Sequence, residues 1–195
     1  MNKQPSMKTN MADTTIQTVQ ANFVVDGNVY ILGEFDSSIS INVIPKLVDL
    51  ITKKKAEKDP SINIFINSYG GEASVLFNML CLLQMAKDAG IKIITTVLGR
   101  AVSCGSMLAV MGDERNMYRH ALHLAHLGMQ VDQVSTNEQI DRASKKWKWH
   151  FKQIVDHYAA CTGCPKKKLE QMLKDDLQWL TPEECLELGF ATSII

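Results

Sequence analysis

Apolar positions along the chain recur at two spacings, and the spacings predict the elements. NVYILG (28–33) is a short apolar run that reads as a buried strand ending in Gly33. From Ser40 to about Ala56, Val43, Ile44, Leu47, Val48, Leu50 and Ile51 recur at helical steps. Asn42 stands as its N-cap and Pro45 falls in the first turn, where a missing N–H is harmless. INIFIN (62–67) is a second strand. It runs through SYGGEAS into a helix over 75–89 that Gly90 ends. IKIITTVLG (91–99) is rich in β-branched residues and reads as a central strand. It leads through RAVSCG into a short helix over 104–111.

The second half has a different pattern. NMYRH and ALHLAH (116–126) read as two short strands or one bent one. STNE (135–138) is a capping-box pattern, after which Ile140, Ala143, Trp147, Phe151, Ile154 and Tyr158 recur at three- and four-residue steps. A helix over 135–160 is about 38 Å long at 1.5 Å per residue, long enough to project from a domain of this size. A short helix follows near 166–174. TPEE (181–184) starts another, with Pro182 at its first position and Gly189 past its end. Strand–helix alternation through residue 111 defines an α/β fold with parallel βαβ units and right-handed crossovers. Residues 1–20 lack periodicity and read as a flexible arm; residues 21–195 read as one domain.

Composition removes some function classes. The 195 residues hold 21 basic and 21 acidic side chains, without the basic excess of a nucleic-acid binder. The first 20 residues are polar and lack the apolar core of a secretory signal. No run of 18 apolar residues occurs, so no membrane span is expected, and the reading is cytoplasmic. Five cysteines without an export signal read as reduced thiols. Cys161 and Cys164 form a CxxC, but a zinc site needs two further ligands, so no metal is expected.

The candidate chemistry lies where strands turn into helices. The C-terminal ends of strands are the ligand-binding edge of α/β folds, and a helix start favours negative charge. Residues 99–108, GRAVSCGSML, place Ser103, Cys104 and Ser106 in such a turn. Ser103 at the helix start leaves the amide of Cys104 exposed, and the Gly70–Gly71 pair lets a second amide approach a substrate. Gly71 and Cys104 together would form an oxyanion hole. A serine before a helix is more often an N-cap, so the turn alone does not establish a nucleophile. Cys104 fits better as a small apolar filler, and Ser106, one turn into the helix, as a buried or back-bonded hydroxyl. A serine nucleophile needs a base and an orienting acid. Five histidines (120, 123, 126, 150, 157) are available; strand alternation puts His123 and His126 on opposite faces but does not choose between them. Asp175 and Asp176, ahead of LQWLTPEE, are the candidate acids or simply two solvated charges.

Taken together, these segments resemble the ClpP family of ATP-dependent serine proteases, from about residue 27 to 195. INSYGG is similar to the family's INSPGG, and GRAVSCGSMLAVMG to its GxAASMGAxLLxAG, with Ser103 at the nucleophile. NMYRHALHLAH is similar to the segment ending in its M-I-H, with His126 at the base. ACTG (160–163) resembles its HTG, and counting from that TG puts the acid at Asp176, with Asp175 as runner-up. WLTPEECLELGF resembles its FLSAxEAxEYGL. Tyr69 stands where the family has proline, Glu72 where an apolar or small residue is usual, and LGM after His126 where Q-P-L is usual.

The resemblance implies a ClpP/crotonase-like core with a handle helix over about 135–160. It implies heptameric rings, usually two stacked through the handles, with sites facing an inner chamber. A hexameric AAA+ unfoldase would feed in unfolded polypeptides, with no cofactor on this chain. Three other readings compete: a crotonase-type acyl-CoA enzyme, which needs no Ser–His–Asp set; a membrane-anchored peptidase with a lysine base; and a non-catalytic ring subunit or phage assembly component.

Overall fold

The computed structural model describes residues 22–128, 136–174 and 179–195; the expected arm, residues 1–20, lies outside them. The sheet begins with a hairpin that the apolar pattern missed. β1 (Asn22–Val25) and β2 (Asn28–Ile31) pair antiparallel around Asp26–Gly27, with φ of 49° and 75°. Both turn residues are left-handed, the conformation for which Asp-Gly is favoured in two-residue hairpins.

The helix expected over 40–56 is two helices. α1 (Ser37–Asn42) is capped by Asp36, whose carboxylate accepts the Ser38 N–H at 2.9 Å. α2 (Ile44–Lys54) starts again after Val43. Asn42 is therefore the last residue of α1 and not a cap. Pro45 has no N–H for the Ile41 carbonyl and its ring crowds that group, so the helix breaks there.

β3 (Ser61–Ser68) alternates cleanly: Ile62, Ile64 and Ile66 are buried, with half-buried residues between them. α3 (Ala73–Asp88) buries Leu76, Met79 and Leu83 in the same core, and Gly90 follows its end with φ 81°. On the other face of the sheet Phe23, Tyr30 and Phe65 stack in a row at 4.8 and 4.9 Å.

β4 (Lys92–Val102) is the central strand and runs three residues past the expected end. It pairs with β3 in parallel from Ser61↔Lys92 to Ile66↔Val97; the register then shifts to Ser68↔Ala101. Two steps along β3 thus oppose four along β4, a bulge that re-aims the end of the strand. α4 (Cys104–Val110) follows immediately. The expected pair of short strands over 116–126 begins two residues earlier: β5 (Glu114–Met117) pairs with Ile94–Val97, and β6 (Leu122–Leu124) with Arg100–Val102, both parallel to β4.

α5 (Asn137–Thr162) is the long helix, 26 residues ending at left-handed Gly163. Its capping box is Thr136 with Gln139, one residue beyond the expected start. Ile154, Val155 and Tyr158 are buried in the domain, whereas Ile140 in the first turn and Trp149 at the middle of the helix are 53% and 63% exposed. α6 (Lys166–Met172) is followed by α7 (Pro182–Glu187), with the expected Thr181–Glu184 capping box, and β7 (Ser193–Ile194) joins β5. The sheet order is β1-β2-β3-β4-β5-β7, with β6 also on β4. The fold is α/β with a mostly parallel sheet. Among the described residues no helix is long and apolar enough to cross a membrane.

Candidate active site

Ser103 sits in the turn from β4 to α4 with φ 55° and ψ −117°. A non-glycine residue there costs about 1–3 kcal/mol and persists only when its surroundings hold it. Three contacts do so. The Ser103 N–H donates to the Leu124 carbonyl at 3.0 Å, and the Ser103 carbonyl accepts from the Met107 N–H at 3.1 Å. Gly70 packs so closely that a Cβ on it would stand 2.7 Å from the Ser103 Cβ. The Ser103 side chain does not cap α4, so the commoner role of a serine before a helix is not the one it plays.

Gly70 and Gly71 lie beside this turn. The Phe35 N–H donates to the Gly70 carbonyl at 2.8 Å, and the Glu72 N–H donates to the Phe35 carbonyl at 2.7 Å. These bonds occupy one edge of the Gly70–Glu72 backbone, leaving the groups of Gly71 itself to face the other way. A Cβ on Gly71 would stand 2.4 Å from the Phe35 carbonyl oxygen, so only glycine fits. The Gly71 carbonyl accepts from the Cys104 thiol at 3.2 Å. Burial pushes that thiol up to about 11, against the lowering effect of its hydrogen bonds to Gly71 and Ser103. A neutral, hydrogen-bonded thiol is a poor nucleophile, and Cys104 acts as packing.

A cavity of about 450 Å³ opens beside the turn, lined by Gly71, Ser103, Cys104 and His126. Leu76, Phe77, Met107, Trp147 and Ile154 supply apolar walls, and Glu72, Lys146 and His150 add polar groups. His126 follows β6 in a loop and is half-buried. The Leu127 N–H donates to the Leu173 carbonyl at 3.2 Å. Asp175 and Asp176 lie outside the described residues.

The other histidines separate by environment. His120 is exposed. His150 packs edge-on to Phe77, with its pKa lowered by burial and by Lys146. His157 donates through Nε2 to the Met107 carbonyl at 2.9 Å, with its pKa lowered mainly by burial. His123 forms a serine–histidine pair of its own: Nε2 lies 2.5 Å from the Ser106 Oγ. The Tyr158 hydroxyl lies 2.6 Å from that same oxygen. Ser106 and Tyr158 are fully buried and His123 is 1% exposed. Phe190 stacks on Tyr158 and meets His123 edge-on. Burial pushes His123 down to about 3 and raises the Tyr158 hydroxyl above its ordinary range, so both are neutral. None of the three lines the cavity, and no substrate carbonyl reaches them.

The sequence reading expected the Ser106 hydroxyl, one turn into its helix, to be buried or back-bonded, and counted Tyr158 among the residues recurring at helical steps along the long helix. It had no signal for their meeting at His123. It also had none for Tyr69, whose exposed ring carries the Arg100 guanidinium 4.1 Å above its centre.

A β4–α4 turn holding a strained serine beside a glycine pair, with a histidine on the same cavity, is the frame of a serine hydrolase. The family model for Clp protease matches residues 11–195, and the chain belongs to that family. It is 27% identical over 189 residues to ATP-dependent Clp protease proteolytic subunit 2 of Tropheryma whipplei, covering 92% of this chain and 97% of that protein. It is 28% identical over 136 residues to ATP-dependent Clp protease proteolytic subunit 1 of Chlamydia caviae, covering 67% of this chain and 68% of that protein.

Proposed function

We propose that this chain is a serine endopeptidase that cuts unfolded polypeptides inside a ring of its own copies. The observation that carries the reading is the convergence of Ser103, His126 and Gly71 on one cavity. Ser103 attacks the peptide carbonyl while His126 takes its proton and later delivers it to the leaving amine. Asp176, with Asp175 as the alternative, holds the imidazole tautomer. In support, the described residues on either side of these aspartates bond to the segment carrying His126. Leu173 accepts from the Leu127 N–H, and Leu180 exchanges two hydrogen bonds with His123. The amides of Gly71 and Cys104 stabilise the tetrahedral oxyanion; loss of one such donor typically costs about 3 kcal/mol of barrier. Water then releases the acyl group from Ser103.

Family membership supports the assembly as well. Heptameric rings, stacked in pairs through α5, would enclose the sites in the cytoplasm. A hexameric AAA+ unfoldase would deliver substrate and hydrolyse ATP, for which this sequence has no GxxxxGK phosphate loop. The steps use side chains and backbone amides alone.

A fluorophosphonate probe tests the reading, with intact mass and peptide mapping as readout. The expected result is one adduct, on Ser103, absent in Ser103→Ala and in His126→Ala, with peptide cleavage lost in parallel. No adduct even with an AAA+ unfoldase present, or an adduct on Cys104 or Ser106, overturns it.

A further inference from the structure

We propose that the buried Ser106–His123–Tyr158 chain is a positioning device that sets Ser103 against His126 and ties both to the long helix. The proposal rests on the catalytic reading of those two residues. Ser106, on α4, lies one helical turn after Ser103 in the turn before that helix, and His123, on β6, lies three residues before His126 in the loop after that strand. Tyr158 comes from α5. One hydroxyl, the Ser106 Oγ, therefore joins the helix that follows the nucleophile to the strand that precedes the base at 2.5 Å and to the long helix at 2.6 Å. The preceding residue of α5 repeats the tie, since His157 donates to the carbonyl of Met107 at 2.9 Å. The strand side is registered too. Ala101 pairs with His123, and the Ser103 N–H donates to the Leu124 carbonyl.

Stability alone does not require this arrangement, because an apolar trio of similar shape contributes about as much as a satisfied buried polar one. The polar chain adds direction. Apolar side chains slide past one another at little cost, whereas buried hydrogen bonds are lost within a fraction of an ångström and leave costly orphans. Two proton arrangements satisfy the chain: Tyr158 to Ser106 to His123, or the reverse.

The test measures fluorophosphonate labelling of Ser103 in the assembled protein, with rate constant and final extent read separately. The variants are Tyr158→Phe and the all-apolar triple Ser106→Ala/His123→Val/Tyr158→Phe, which leaves no orphaned polar group. The extent of labelling reports the folded fraction; the rate constant reports positioning. In the triple variant the rate constant should fall about tenfold at full extent. In peptide cleavage kcat should fall with KM unchanged, because the cavity walls are untouched. An unchanged rate constant, at full or reduced extent, overturns the proposal in favour of a purely structural network. An unlabelled wild type would instead sink the catalytic reading. In that case, hydrogen exchange in Tyr158→Phe decides. Faster exchange of both 99–107 and 122–127 upholds the tie between these segments, and unchanged exchange removes it.

Discussion

Two serines one helical turn apart, Ser103 and Ser106, each share their surroundings with a histidine, and the two settings differ in almost everything but residue type. Ser106 and His123 stand at 2.5 Å, sealed in the core, with the histidine held neutral. Ser103 and His126 line an open cavity, and Ser103 has a left-handed backbone with φ 55°. A short serine–histidine distance is therefore no evidence of catalysis by itself. What distinguishes the sets is access to a carbonyl, backbone amides nearby to receive the oxyanion, and room for an imidazolium to form. The inner set is closed off from the cavity, in keeping with the fastening role proposed for it; the outer set lies on the cavity beside Gly71 and Cys104, the observation on which its proposed role rests.

Gly70→Ala should have the largest effect on the contrast. A Cβ 2.7 Å from that of Ser103, at φ 104°, displaces the outer serine and leaves the inner set alone. A shift of about 1 Å costs on the order of 10²-fold in rate. Labelling kinetics on protein with unchanged circular dichroism would show it; labelling at the wild-type rate would mean that the turn relaxes around the methyl group.

Ser106→Ala should act on stability. It strands the His123 Nε2 and the Tyr158 hydroxyl in the core, a loss of about 1–3 kcal/mol. The triple apolar variant should recover much of that in urea titration, although it removes more atoms. A triple variant as unstable as the sum of its single changes would assign the effect to lost packing.

A pH slope of size comparable to the Ser106→Ala loss is the third expected effect. The folded His123 titrates near 3, against 6.5 for an ordinary histidine, so between these values only the unfolded chain takes up the proton. The contribution is complete above the unfolded value and is lost as pH falls, by about 1.4 kcal/mol per pH unit once well inside that window. His157 and His150, also lowered by burial, add the same sign. Urea midpoints at pH 6.5 and 4.5 should fall further in wild type than in the triple variant; equal falls would mean that His123 does not contribute.

By itself the sequence determined the elements whose signal is local. Alternation marked β3, and β-branched residues marked β4 as central. Gly90 stopped α3, Thr181 and Glu184 framed α7, and small residues marked the turn at Ser103. These features depend on side-chain period and on backbone freedom within a few residues. Even there proximity limited the reading. Pro45 split one expected helix into two, and the capping box of α5 formed at Thr136 and Gln139 where Ser135 and Glu138 carry the same pattern. The tertiary structure alone decided which histidine faces the cavity and which is sealed under Phe190. Alternation separates His123 from His126 but carries no information about what covers either face. Only packing brings Tyr158, 52 residues away, onto Ser106. The β4 bulge, set by pairing with β3 on one side and with β5 and β6 on the other, aims the turn. Both serines have the same hydroxyl; burial and backbone direction, which belong to the assembled fold, seal one in the core and set the other on the cavity.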